Sequence, residues 1–180
     1  MDSTTTPSIT DQDTAAAALR KSRDDLAKAI DNADQWMKDF RDTIVQVRPM
    51  GVLTVDEMAE AIGKDRNYVD TVWSDHGDAE KGKQTRVHVD APEGAKVNAI
   101  QLLADSARKA YGTASTVGVL RAERDRIVAL VYASKILGPS AIAREVGVDR
   151  NHVLRIARKA GIQPQHRTNI RNQHTASKSK

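Results

Sequence analysis

The chain repeats itself, and the repeat limits what it can fold into more than any single motif does. Residues 58–77, MAEAIGKDRNYVDTVWSDHG, match residues 142–161, IAREVGVDRNHVLRIARKAG, at a constant offset of 84. Ala59 pairs with Ala143, Gly63 with Gly147, the run Asp65, Arg66, Asn67 with Asp149, Arg150, Asn151, Val69 with Val153, and Gly77 with Gly161. Upstream, Arg41, Asp42, Ile44 and Val45 match Arg124, Asp125, Ile127 and Val128 at an offset of 83, which places a one-residue length difference in the intervening loop. A chain of 180 residues built this way predicts two small units, each near the lower size limit for an independent core.

Each repeated segment reads as two short helices meeting at a glycine corner. Ile142, Ala143 and Val146 fall on one helical face, Gly147 stands where the turn needs positive φ, and Val153, Ile156, Ala157 and Ala160 restore an apolar stripe. Asp149 precedes that second stripe and is placed to cap the helix. At about 100° per residue, the face opposite the stripe carries Asn151, Arg155 and Arg158, flanked by His152, Leu154 and Lys159. The first copy presents Asn67, Thr71 and Ser74 there, with Arg66 and Tyr68 at the helix start and Asp70 and Asp75 alongside.

Both segments resemble bacterial helix-turn-helix DNA-binding units, of the three-helix kind found in transcriptional regulators, sigma-factor promoter-reading domains and recombinase tails. In the second copy Ala143, Gly147, Val148, Val153 and Ile156 stand where that pattern wants them; in the first, Lys64 replaces the apolar residue after the turn glycine. The resemblance covers residues 41–77 and 124–161 and implies a binding mode without naming a target. It implies an all-α fold of two tandem helix-turn-helix units with a long N-terminal helix. It also implies a helix in the major groove, where Arg and Asn make paired hydrogen bonds to guanine and adenine edges.

Charge separates the two copies. Residues 54–78 hold seven acids and two bases, a net −5, whereas residues 138–161 hold five bases and two acids, a net +3, although the whole chain is only +4. Expected DNA contacts are Arg150, Asn151, His152, Arg155, Arg158 and Lys159 in the basic copy and Arg66, Asn67, Tyr68 and Thr71 in the acidic one. Arg167 and Arg171 lie in a C-terminal run without acids that could track phosphates or merely solubilise. Cysteine is absent, which removes disulfides, thiol nucleophiles and the usual structural zinc sites. The five histidines lack ligand spacing, so neither metal nor cofactor is expected. Nucleophile elbows, glycine-rich phosphate loops and HExxH helices are missing too, so no enzyme is expected. Nothing is apolar enough to span a bilayer, and MDSTTTPSIT lacks the pattern of a secretory signal, giving a cytoplasmic expectation.

Along the chain, the composition predicts a disordered leader over 1–9 and an N-terminal unit over 10–77. A linker over 78–93 follows, then a C-terminal unit over 94–162 and a basic tail over 163–180. Thr10 with Asp13 suggests a helix start. Leu19, Leu26, Ala33, Phe40 and Val47 are spaced by seven, with Ile30, Met37 and Ile44 beside them. This seam permits self-association through the N-terminal helix, or intramolecular packing with a break at Asp31–Asp34. Helices are expected over 35–47, 55–62 and 66–75, over 95–111 with a stop at Gly112, and over 116–137. TRVHV at 85–89 suits a short extended arm. Val97, Ile100, Leu103, Ala104 and Ala107 are expected inward, as are Val119, Leu120, Ile127, Leu130, Val131 and Ser134. With aromatics at 3%, Trp36, Phe40 and Trp73 are the expected large core fillers.

The expected function is sequence-specific binding of double-stranded DNA, as a bacterial or phage transcription repressor. The alternatives are an accessory protein in partition or recombination, and a protein-interaction module of which only the C-terminal unit binds DNA. A transposase or recombinase would need a further catalytic domain, for which a chain ending at Lys180 has no room.

Overall fold

The computed structural model describes residues 10–77 and 91–163. The expected leader 1–9, residues 78–90 of the connection with the TRVHV arm, and the tail from 164 on, with Arg167 and Arg171, lie outside the described residues. Among the described residues the chain is all-helical, with no strand. The helices are α1 (Gln12–Val47), α2 (Val55–Ile62), α3 (Arg66–His76), α4 (Glu93–Ser134), α5 (Pro139–Val146) and α6 (Arg150–Lys159), with a 3-10 turn at Arg48–Met50.

Local chemistry sets the ends of the short helices. Thr54 caps α2 in a reciprocal box, its hydroxyl accepting from the Glu57 N–H at 3.0 Å while the Glu57 carboxylate accepts from the Thr54 N–H at 2.6 Å. Pro139 opens α5 at its first turn, where a missing N–H costs nothing. Gly63 (φ +65°) and Gly147 (φ +74°) turn the two corners. At each corner the following residue closes the same bond, Lys64 N–H to the Ala59 carbonyl at 2.9 Å and Val148 N–H to the Ala143 carbonyl at 3.0 Å. Asp65 and Asp149 then cap α3 and α6, each accepting from the backbone N–H three residues on at 2.8 Å. Lys64 does not loosen its corner: its ammonium sits 4.6 Å from the centroid of Tyr111 and 5.9 Å from that of Tyr68.

The long helices differ from expectation. Asp31–Asp34 is no break, and Gly112 does not stop α4, since one glycine in a helix interior costs only about 1 kcal/mol. Asp11, rather than Thr10, caps α1 by accepting from the Thr14 N–H at 2.8 Å. The buried stripe of α4 runs through Ala99, Leu103, Ala107 and Ala110, so Val97, Ile100, Val119 (66% exposed) and Leu130 face outward. Ser134, Ala160 and Trp36 are also exposed, against the inward places expected for them.

The described residues form two compact units, one of residues 10–27 with 119–163, the other of residues 28–77 with 91–118. In the first, Ala15 and Leu19 of α1 complete a core with Ile127, Val128, Val131 and Tyr132 of α4. Ile142, Ala143 and Val146 of α5 and Val153, Ile156 and Ala157 of α6 supply the rest. In the second, Phe40, Ile44 and Val47 of α1 join Met58, Ala59 and Ile62 of α2, Val69 and Val72 of α3, and the Ala99–Ala110 stripe of α4. These units differ from a division into 10–77 and 94–162, because the first half of each long helix completes the core built on the other repeat's helix pair.

Burial also corrects the upstream register of the repeat. Ala15 and Ala99, Leu19 and Leu103, Ile44 and Val128, and Val47 and Val131 are all buried, and all are 84 apart. An offset of 83 would set buried Val47 against exposed Leu130. One residue is about 100° of helix, so burial distinguishes the two registers where short identities do not. The repeat therefore runs at 84 from α1 through α3, with no loop insertion.

Candidate nucleic-acid interface

On α6 the buried stripe of Val153, Ile156 and Ala157 anchors the helix on its unit. This leaves Arg150, Asn151, Arg155, Arg158 and Lys159 exposed, with His152 and Leu154 half-buried at the margin. Arg155 donates from Nη2 to Nδ1 of His152 at 2.7 Å. Arg150, Arg155, Arg158 and Lys159 form no ion pair with the described residues, so their charge is available to an incoming anion.

Two residues missed in the sequence hold this helix pair in place. Arg20 pairs with Glu145 at 3.0 Å, and Arg23 donates to the Glu145 carbonyl at 3.2 Å, both from α1 onto the end of α5. No local signal could reveal contacts spanning more than 120 residues. Arg144, also not singled out, is exposed on α5 and adds a cation to this unit, 3.8 Å from Glu145.

The corresponding surface of α3 is chemically different. Arg66 lies 3.6 Å from both Asp56 and Asp70. Asp70 also takes a 2.9 Å bond from Arg48, whose guanidinium stacks 5.1 Å from the centroid of Trp73. Exposed pairs of this length hold Arg66 by at most about 1 kcal/mol, but releasing it would leave the carboxylates on the same face. Asn67 and Thr71 are exposed as expected. Tyr68 is half-buried and stacks on Phe40, with centroids 6.2 Å apart and planes 18° apart. Burial first, and then the neighbouring Tyr111 hydroxyl, push its phenol pKa up, so it is a neutral core-facing ring. Its repeat counterpart is His152. Among the described residues no cluster of His, Cys, Asp or Glu could hold a metal ion, and no helix is long and apolar enough to cross a membrane.

Comparison of the chain with protein-family models, with curated proteins and with solved structures gives no match.

Proposed function

We propose that the protein is a sequence-specific binder of double-stranded DNA and acts as a transcription repressor in the cytoplasm. In this reading α2–α3 and α5–α6 are helix-turn-helix pairs and α6 is the principal reading helix. The observation that carries it is the exposed row of Arg150, Asn151, Arg155, Arg158 and Lys159, free of carboxylate partners, on a short helix fixed behind a capped glycine corner. With its side chains a helix such as α6 is about 10–12 Å across, which a major groove about 12 Å wide accepts. Phosphate contacts dominate affinity and its salt dependence, each contributing roughly −0.9 to the log–log slope. The basic pair can supply them; the acidic pair, with Arg66 between two aspartates, cannot supply many.

A second reading is favoured for α3 alone. Its carboxylates suit contact with a protein partner better than with phosphate, so α3 either adds base discrimination through Asn67 and Thr71 or serves as a protein-docking face.

The test is a salt titration of the full chain on duplex DNA by fluorescence anisotropy. Arg158→Ala is expected to weaken binding and reduce the salt slope by about one if it meets a phosphate, while Arg66→Ala leaves the slope unchanged. Absence of salt-dependent duplex binding would overturn the DNA reading. Equal slope changes in the two variants would overturn the division between the units.

A further inference from the structure

We propose that His152 is a positioning residue that aims Arg155 at a base edge, an inference that rests on the DNA reading above. The His152 backbone N–H is held by the Asp149 cap at 2.8 Å, which ties the residue to the first turn of α6. Its Nε2 is buried without a hydrogen-bond partner, while its Nδ1 faces out and meets Arg155 Nη2 at 2.7 Å. A guanidinium only donates, so Nδ1 is the acceptor and the neutral ring carries its proton on Nε2. The imidazole therefore stands on the first turn of α6 with its acceptor edge turned to the arginine.

The consequence is specificity. Arginine has five N–H donors in a planar fork, and His152 takes one. Nη2 keeps its second N–H, so one two-donor edge of the fork remains for the two acceptors that guanine presents in the major groove. An unbraced arginine at this exposed position would sample many rotamers and could settle on a phosphate, which gives affinity without sequence information. Held by His152, it has lost part of that freedom before DNA arrives. The acidic unit lacks the device: its repeat counterparts are Tyr68, stacked on Phe40, and Thr71.

The experiment selects binders from a randomised 20-base-pair duplex pool with the full-length protein and with His152→Ala, His152→Asn, Arg155→Ala and the double alanine variant. Affinities and salt slopes are then measured on the best duplex, and melting temperatures of all variants are compared. Arg155→Ala flattens the preference at one base position. His152→Ala flattens the same position, weakens binding to the best duplex by about two- to tenfold, the worth of one hydrogen bond, and leaves the salt slope unchanged. His152→Asn, whose Oδ1 falls near the place of Nδ1, restores the preference. In the Arg155→Ala background His152→Ala adds nothing.

The proposal is overturned if His152→Ala lowers binding to all duplexes equally, if its effect persists without Arg155, or if it only lowers the melting temperature. If Arg155→Ala flattens a position and His152→Ala does not, the positioning role fails and the DNA reading stands. If the parent protein enriches no sequence, sequence-specific binding itself fails.

Discussion

Leu19 provides a decisive perturbation of the exchanged cores. It lies in α1, more than 100 residues from the helices it is buried against, and its side chain is fully enclosed among Ile127, Val131, Ile142 and their neighbours. Leu19→Ala removes three buried carbons, about 2.4 kcal/mol at roughly 0.8 kcal/mol each. The unfilled cavity raises the total to about 3–4 kcal/mol. At 1.4 kcal/mol per tenfold, the unit containing α5 and α6 should open roughly one hundred to seven hundred times more often. Leu103, its repeat counterpart, is equally enclosed but among the residues of the other core. Hydrogen exchange followed by mass spectrometry should therefore show a crossed pattern. Leu19→Ala accelerates exchange in residues 139–159 and spares 55–76, and Leu103→Ala does the reverse. If Leu19→Ala instead opens 55–76 and leaves 139–159 protected, α1 does not complete the second core and the exchange is wrong.

Three further outcomes follow from local geometry. Gly147→Val should lower the melting temperature by an amount corresponding to about 1–3 kcal/mol of backbone strain, because φ is +74° while the nearest atom to an added Cβ, Arg23 Cδ, is at an unstrained 3.5 Å; a parent-like melt with DNA binding lost would mean that the glycine is there for the ligand. Gly77→Ala should perturb the emission of Trp73 although φ is ordinary, since an added Cβ would lie 2.5 Å from the Trp73 carbonyl oxygen and 2.7 Å from its ring; unchanged fluorescence would contradict that close approach. Hydrogen bonds from the Thr14 N–H, and then from its hydroxyl, hold the Asp11 carboxyl below its ordinary value of 3.8. Its stabilisation of the first turn of α1 is thus present above that pH and lost as the pH falls through the lowered value. Asp11→Asn should abolish this acid-dependent fraying in amide exchange; fraying that persists in the variant has another origin.

Much of the fold was legible because its signals are local. A capping carboxylate, a glycine at a corner, a proline at a first turn and apolar residues three and four apart act over one or two turns of helix. Asp149, Gly147, Pro139 and the Val153–Ala157 stripe could therefore be read directly, as could the exposure of Asn151, Arg155 and Arg158. The charge contrast between the copies was equally plain, since it needs only a count. Tertiary packing decided what no neighbouring residues encode. Along α4, Val97 and Ile100 compete with Ala99 and Leu103 for the buried side, and only the surface opposite the helix chooses between them. The same holds for Tyr68, whose ring stacks on Phe40, and for Arg66, drawn toward Asp56 and Asp70. The partner of each half-helix is more remote still: Leu19 and Leu103 carry identical side chains at equivalent repeat positions, and burial against distant helices alone shows which core each one fills.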